Sequence, residues 1–197
     1  MSDFPMIYLA RHGETAWTIS RQHTGRTDLP LTSGGRMEAE HVRERLQDRC
    51  EDPNVCPLPE HIFTSPLKRA AETCRIATRS ELAETWDDLM EWDYGDLEGL
   101  TTAEIQRKYP GWNIFKDGAA GGESVAAITS RADRVVTRLR SINKPEVFAF
   151  SHGHFLRAVI ARWLGLPVSA GAYFVLSTAA VVVLTYEHNR QEPCIQF

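Results

Sequence analysis

The chain has 197 residues, of which 43% are hydrophobic and 24% charged, the balance of a soluble globular protein long enough to bury a sizeable core. Its net charge of −4 argues against general attraction to nucleic acid or to an anionic membrane, so any affinity for an anion has to be local. No apolar stretch is long enough to span a bilayer, and no basic region followed by an apolar one reads as a secretory signal, so a cytoplasmic location is expected.

In chain order, the first predicted strand is Met6 to Ala10, which runs directly into Arg11, His12 and Gly13. A cation beside an imidazole at a strand end, with glycine permitting close backbone approach, suits an anionic group at the carboxyl edge of a sheet. A helical pattern covers Gly34 to Asp48, and Glu51 to Glu60 carries three prolines and reads as a surface connection. His61 to Ser65 is the second strand and Pro66 to Arg79 the helix after it. Further helices are predicted at Thr102 to Lys108, Ser124 to Ser141 and His154 to Leu164, and further strands at Glu146 to Ser151 and Ala180 to Tyr186. Ala172 to Ser177 is read as an additional strand. The segment Pro110 to Gly122, with Trp112, Phe115 and Lys116, is read as a loop able to cover a site.

Alternating strands and helices predict an α/β fold: one three-layer domain over residues 1–197, with a mainly parallel sheet and helices on both faces. The apolar run Val147, Phe148, Ala149 and Phe150 fits a strand buried on both sides. Cys50, Cys56, Cys74 and Cys194 have no CxxC spacing and are expected to be free thiols.

In a parallel sheet, three strand ends of similar chemistry fall on one edge. The first carries Arg11 and His12, the second Ser65 with Arg69 one turn onward, and the third Ser151, His152 and Gly153. Ser65 before Pro66 reads as an N-cap with proline at the first helical position, which lets Ser65 and Arg69 face one anion near the positive end of the helix. A plain cap with a solvated arginine is the alternative, and the coincidence of three such ends argues against it. No carboxylate or cysteine spacing completes a metal site around His152 and His154, so neither metal nor cofactor is expected. A carboxyl that supplies a proton belongs to the stretch Glu91, Asp93, Asp96 and Glu98, among which residue type alone does not choose.

These residues resemble the histidine phosphatase superfamily, the group that includes cofactor-dependent phosphoglycerate mutases and many small phosphatases. The likeness lies in Leu9 to Trp17, His23 to Thr32, Thr64 to Thr73, Glu91 to Gly99, Gly122 to Ser124 and Ser151 to Arg157, and covers nearly the whole chain. The resemblance implies a phosphoglycerate mutase-like fold and makes His12 the nucleophile of a phosphohistidine intermediate. Arg11, Arg69 and His152 would surround the phosphoryl oxygens, and Glu91 would protonate the leaving alcohol and then activate water. Phosphoglycerate mutases usually carry asparagine where this chain has Thr18, and a longer segment than the 23 residues between Gly99 and Glu123. Hydrolysis is therefore favoured over mutase chemistry, with a non-catalytic phosphate-binding module as the reading from another class.

The segment Trp112 to Gly118 and the pattern Ser151, His152, Gly153 and His154 are similar to the fungal sedoheptulose 1,7-bisphosphatase type. That likeness implies a small phosphorylated metabolite as substrate, a sugar phosphate or bisphosphate, and no nucleic acid or membrane partner. Thr24, Gly25, Ser65, Tyr94, Gly153, His154 and Arg157 would help hold it, and a second phosphate would meet Arg157 or Lys116.

Overall fold

The computed structural model describes residues 4–52 and 56–196. Its strands and helices follow the apolar periodicity: β1 Met6–Arg11, α1 Ala16–Ser20, α2 Ser33–Gln47, β2 His61–Thr64, α3 Lys68–Thr78, β3 Glu84–Thr85, α4 Thr102–Lys108, α5 Ile114–Asp117, α6 Val125–Ser141, β4 Glu146–Ser151, α7 Gly153–Trp163, β5 Val181–Tyr186 and β6 Pro193–Gln196. They form one sheet in the order β3-β2-β4-β1-β5-β6. The first four strands of that order are parallel neighbours, and β5 and β6 join antiparallel at one side.

The period-2 alternation of strand side chains divides β1 between the two faces of the sheet. Ile7 and Leu9 join Val135 and Leu139 of α6 and Phe155 and Val159 of α7. Tyr8 and Ala10 join Val42 and Leu46 of α2 and Cys74 and Ala77 of α3. Helices therefore cover both faces, and β4 shows why its sequence is apolar throughout: Val147 and Ala149 face one cluster, Phe148 and Phe150 the other. Each large side chain taken fully out of water contributes about 1.5–3 kcal/mol. The result is a single α/β domain with a mainly parallel sheet. Among the described residues no helix is long and apolar enough to cross a membrane.

Four expectations need correction. Residues 172–177 do not form a strand: a 3₁₀ turn spans Val168–Tyr173, and the chain then runs on irregularly. The carbonyls of Gly171 and Ala172 accept from Arg157, and that of Leu176 accepts from Arg11, so a sheet ladder does not get them. Ser65 does not cap the following helix. That helix starts at Lys68 with Leu67 before it, and Asp28 Oδ1 from another loop accepts the Lys68 N–H at 2.7 Å.

Cys50 and Cys56 are joined in a disulfide, because the chain after α2 turns back until their Cα atoms lie 5.6 Å apart, within bonding reach. Cys74 and Cys194 are free, as expected. Of the proline-bearing connection at 51–60, residues 53–55 lie outside the described residues. The 110–122 segment, finally, does not cover an opening. It winds into the short helix α5, which buries Ile114 and Phe115 in the core, and the Trp112 indole N–H closes it by donating to the Gly118 carbonyl at 3.0 Å.

Phe150, fully buried in the α2–α3 face of the sheet, tests this layering. Phe150→Ala is expected to lower stability by about 3–5 kcal/mol in chemical denaturation; a loss below about 1 kcal/mol would mean that this face is not a packed layer.

Candidate active site

Parallel pairing puts the carboxyl ends of β1, β2 and β4 on one edge, and the ladder is registered so that Arg11 stands beside Ser151. His12 extends the pairing, since its N–H donates to the Ser151 carbonyl at 3.0 Å and its carbonyl accepts from Ala179 at 3.1 Å. Backbone on both sides therefore fixes where the imidazole starts. Gly13 follows because α2 passes too close for any side chain: a Cβ there would lie 2.3 Å from the Gly35 carbonyl oxygen. The Gly13 N–H donates to Thr73 Oγ1 at 3.1 Å, tying this turn to α3.

The tautomer of His12 follows from its one polar contact. Its Nδ1 lies 2.7 Å from the Gly13 carbonyl oxygen, which only accepts, so Nδ1 carries the hydrogen and Nε2 keeps a free lone pair. The ring is buried. Burial first, then the guanidiniums of Arg11 and Arg69, hold its pKa well below the usual histidine range. The neutral imidazole, with Nε2 free, is therefore the favoured form between two cations.

Arg11 donates Nη1 to the Leu176 carbonyl, and its buried Nε has no partner. Gly153 is glycine because a Cβ there would come 3.1 Å from Arg11 Cζ and push the guanidinium aside. Arg69 is fully buried at the start of α3 and donates to the carbonyls of Thr24, Gly25 and Thr27, pinning the loop that follows α1. Its Nε–H donates to His152 Nδ1 at 3.1 Å, which leaves the hydrogen of that ring on Nε2, 2.8 Å from Ser65 Oγ. His152 and His12 have ring centroids 5.2 Å apart.

Glu91 reaches the same edge from the irregular stretch between two 3₁₀ turns. Its Oε1 accepts the N–H groups of Trp92 and Phe155 at 2.9 and 2.8 Å, and its Oε2 that of His154 at 3.1 Å. The carboxyl group thereby occupies the amino end of α7 and satisfies N–H groups that the first turn of a helix leaves free. The Tyr94 hydroxyl contacts His154 Nδ1. Phe115 packs against His154 and against the Arg157 guanidinium, whose Cζ is 4.6 Å from the ring centroid. The 110–122 segment thus props the site from the core side.

These groups line a cleft of about 170 Å³. Of the residues expected at the site, Arg11, His12, Thr24, Glu91, Tyr94, Gly153, His154 and Arg157 form its wall. Gly25, Ser65, Arg69 and His152 do not line it and stand behind that wall, Arg69 reaching it through the Thr24 carbonyl and His152 through its ring contact with His12. Lys116 is exposed on α5 and takes no part in the wall. Trp17, Thr18, Arg21, Gln22, His23 and Leu176 also line the cleft and were not among the residues expected there. Trp17 and His23 sat within recognised motif stretches, whereas nothing local marked Leu176.

A family model described as the histidine phosphatase superfamily, branch 1, matches residues 7–193. The chain belongs to that superfamily. An acid phosphatase of Mycobacterium tuberculosis is 40% identical over 185 residues, covering 93% of this chain and 87% of the relative. Sedoheptulose 1,7-bisphosphatase of Saccharomyces cerevisiae is 35% identical over 188 residues, covering 83% and 69%. The solved structure of a functionally characterised M. tuberculosis reading frame superposes with a TM-score of 0.89 at 37% identity, covering 98% of this histidine phosphatase and 96% of that chain.

Burial also depresses His152 and takes His23 down to about 4, while the exposed His188 is raised by its contact with Glu192. At about pH 5.5, a unit below the ordinary histidine value, nitrogen NMR of this histidine phosphatase is expected to show His12, His23 and His152 neutral and His188 protonated. Protonation of His12 near its ordinary value would contradict the site electrostatics.

Proposed function

We propose that this histidine phosphatase is a metal-independent phosphomonoesterase that hydrolyses a small phosphorylated metabolite through a phosphohistidine at His12. The observation that carries the reading is the Nδ1–H bond to the Gly13 carbonyl, which leaves Nε2 of a neutral imidazole free at a cleft walled by guanidiniums. Nε2 attacks phosphorus, the bond to the leaving oxygen breaks, and Glu91, entering in its acid form, gives that oxygen its proton. Glu91 then takes a proton from water as the water oxygen displaces Nε2 from phosphorus, returning the free enzyme and inorganic phosphate.

The charge on the phosphoryl oxygens falls to Arg11, Arg69 and His152. Arg11 has a buried Nε without an acceptor, and a planar guanidinium suits phosphate geometry. Arg69 and His152 give up carbonyl and hydroxyl acceptors for phosphoryl oxygens, an exchange of neutral acceptors for an anionic one that binds more strongly. Thr24, Tyr94, His154 and Arg157 face the alcohol part of the substrate, with Gly25 and Ser65 supporting from behind and Gly153 leaving room for Arg11.

A sugar bisphosphate fits the remaining charge. The Arg21 side chain lines the cleft exposed and has no hydrogen-bond or ion-pair partner among the described residues, and Arg157 lines it too, so the wall offers cations beyond those that meet the transferred group. The yeast relative is itself named a bisphosphatase. Mutase chemistry is the lesser reading, because the segment between Gly99 and Glu123 is short.

Phosphate release from a panel of sugar phosphates with excess chelator tests the proposal. Release unaffected by chelator, lost in His12→Ala, and with higher kcat/KM for bisphosphates than monophosphates is expected. Loss on chelation would overturn the metal-free mechanism, isomer exchange without release would favour a mutase, and binding without turnover would favour a phosphate-ligand module.

A further inference from the structure

No helix or sheet ladder fixes the segment that carries Glu91, which runs irregularly between the 3₁₀ turns Asp87–Leu89 and Gly95–Leu97. Something else has to hold it. Arg131, in the middle of α6, is nearly buried and lies outside the cleft wall. Its Nη1 donates to the carbonyls of Asp88 and Met90 at 2.9 and 2.6 Å, and its Nη2 to that of Glu91 at 3.2 Å. Its Nε and Nη2 also hold the two oxygens of Glu123 at 2.8 and 2.6 Å. Every N–H-bearing nitrogen of the guanidinium is therefore engaged, and three of its acceptors are main-chain oxygens of the Glu91 segment.

Glu123 grips the other side of that segment. Its Oε2 accepts the Asp93 N–H at 2.9 Å, and its carbonyl accepts the Trp92 indole N–H at 2.9 Å. Its own N–H donates to the Asp93 carbonyl at 2.9 Å. Arg131 Cζ also lies 4.1 Å from the ring centroid of Phe155, whose N–H is one of the donors that hold the Glu91 carboxylate. The pair thus touches the segment before Glu91, the segment after it, and a residue that binds its carboxyl group.

We infer that Arg131 and Glu123 form a buried clamp that aims the Glu91 carboxyl at the leaving oxygen, which makes them positioning residues for the proton-transfer step. The inference rests on the reading of Glu91 as the acid. Lysine does not replace Arg131 here, since one ammonium cannot reach the carboxylate and the three carbonyls in the fork geometry of a guanidinium.

The readout is the ratio of kcat/KM for glycerol 2-phosphate to that for p-nitrophenyl phosphate, because only the alkoxide leaving group needs the proton. Glu91→Gln is expected to lower that ratio by about 100-fold, the lower side of what a general acid supplies. Glu123→Gln, which keeps the side-chain shape, and Arg131→Gln are expected to lower it several-fold in the same sense. Should Arg131→Gln fail to fold, as judged by circular dichroism, Glu123→Gln decides alone. A ratio unchanged in Glu123→Gln, while Glu91→Gln lowers it, overturns the clamp, since a merely structural loss reduces both substrates alike. An unchanged ratio in Glu91→Gln removes the acid assignment, and the clamp with it.

Discussion

The parallel ladder between β1 and β4 is the constraint on which the site depends. Because Arg11 pairs with Ser151 and His12 continues the register, the His12 imidazole and the turn bearing His152 leave the sheet side by side. β2 lies on the other flank of β4 and brings Ser65 and Arg69 to the same edge. A register slip of one residue would exchange every inward and outward side chain of β1, moving both Ile7 and Leu9 out of their core and His12 out of the cleft. Core packing and site geometry are therefore one requirement.

Charge in the site is organised by burial. The guanidiniums of Arg11 and Arg69 flank His12, and with desolvation they favour its neutral form. A single carboxylate, Glu91, answers them in the cleft wall, and it is held by backbone N–H groups rather than by an ion pair with either arginine. The cations thus stay available to an incoming anion. This concentration of positive charge occurs in a chain whose net charge is −4, which separates local phosphate recognition from general polyanion binding.

What could be read in the sequence divides along a physical line. Strand ends announce themselves, because Arg11, His12 and His152 are polar residues placed where apolar runs stop, and the resemblance to the superfamily assigns Glu91 among four carboxylates. Features that depend on distant acceptors were illegible. Ser65 looked like a helix cap, but its hydroxyl is engaged by His152 and Asp28 serves the helix instead. The 172–177 stretch looked like a strand until Arg157 and Arg11 took carbonyls from that region. Arg131 sat in an amphipathic helix, where one arginine reads as a solvated face, and the pairing of Cys50 with Cys56 depended on a chain reversal with no spacing signature.

On the proposed mechanism, the hydrogen on Nδ1 of His12, held by the Gly13 carbonyl, commits Nε2 to phosphorus. Turnover quenched during steady state, followed by mass spectrometry and phosphorus–proton correlation NMR of the labelled peptide, identifies both the residue and the nitrogen. Phosphate bonded to Nε2 of His12 is the expected result. Phosphate on Nδ1, or on any other side chain, would contradict it.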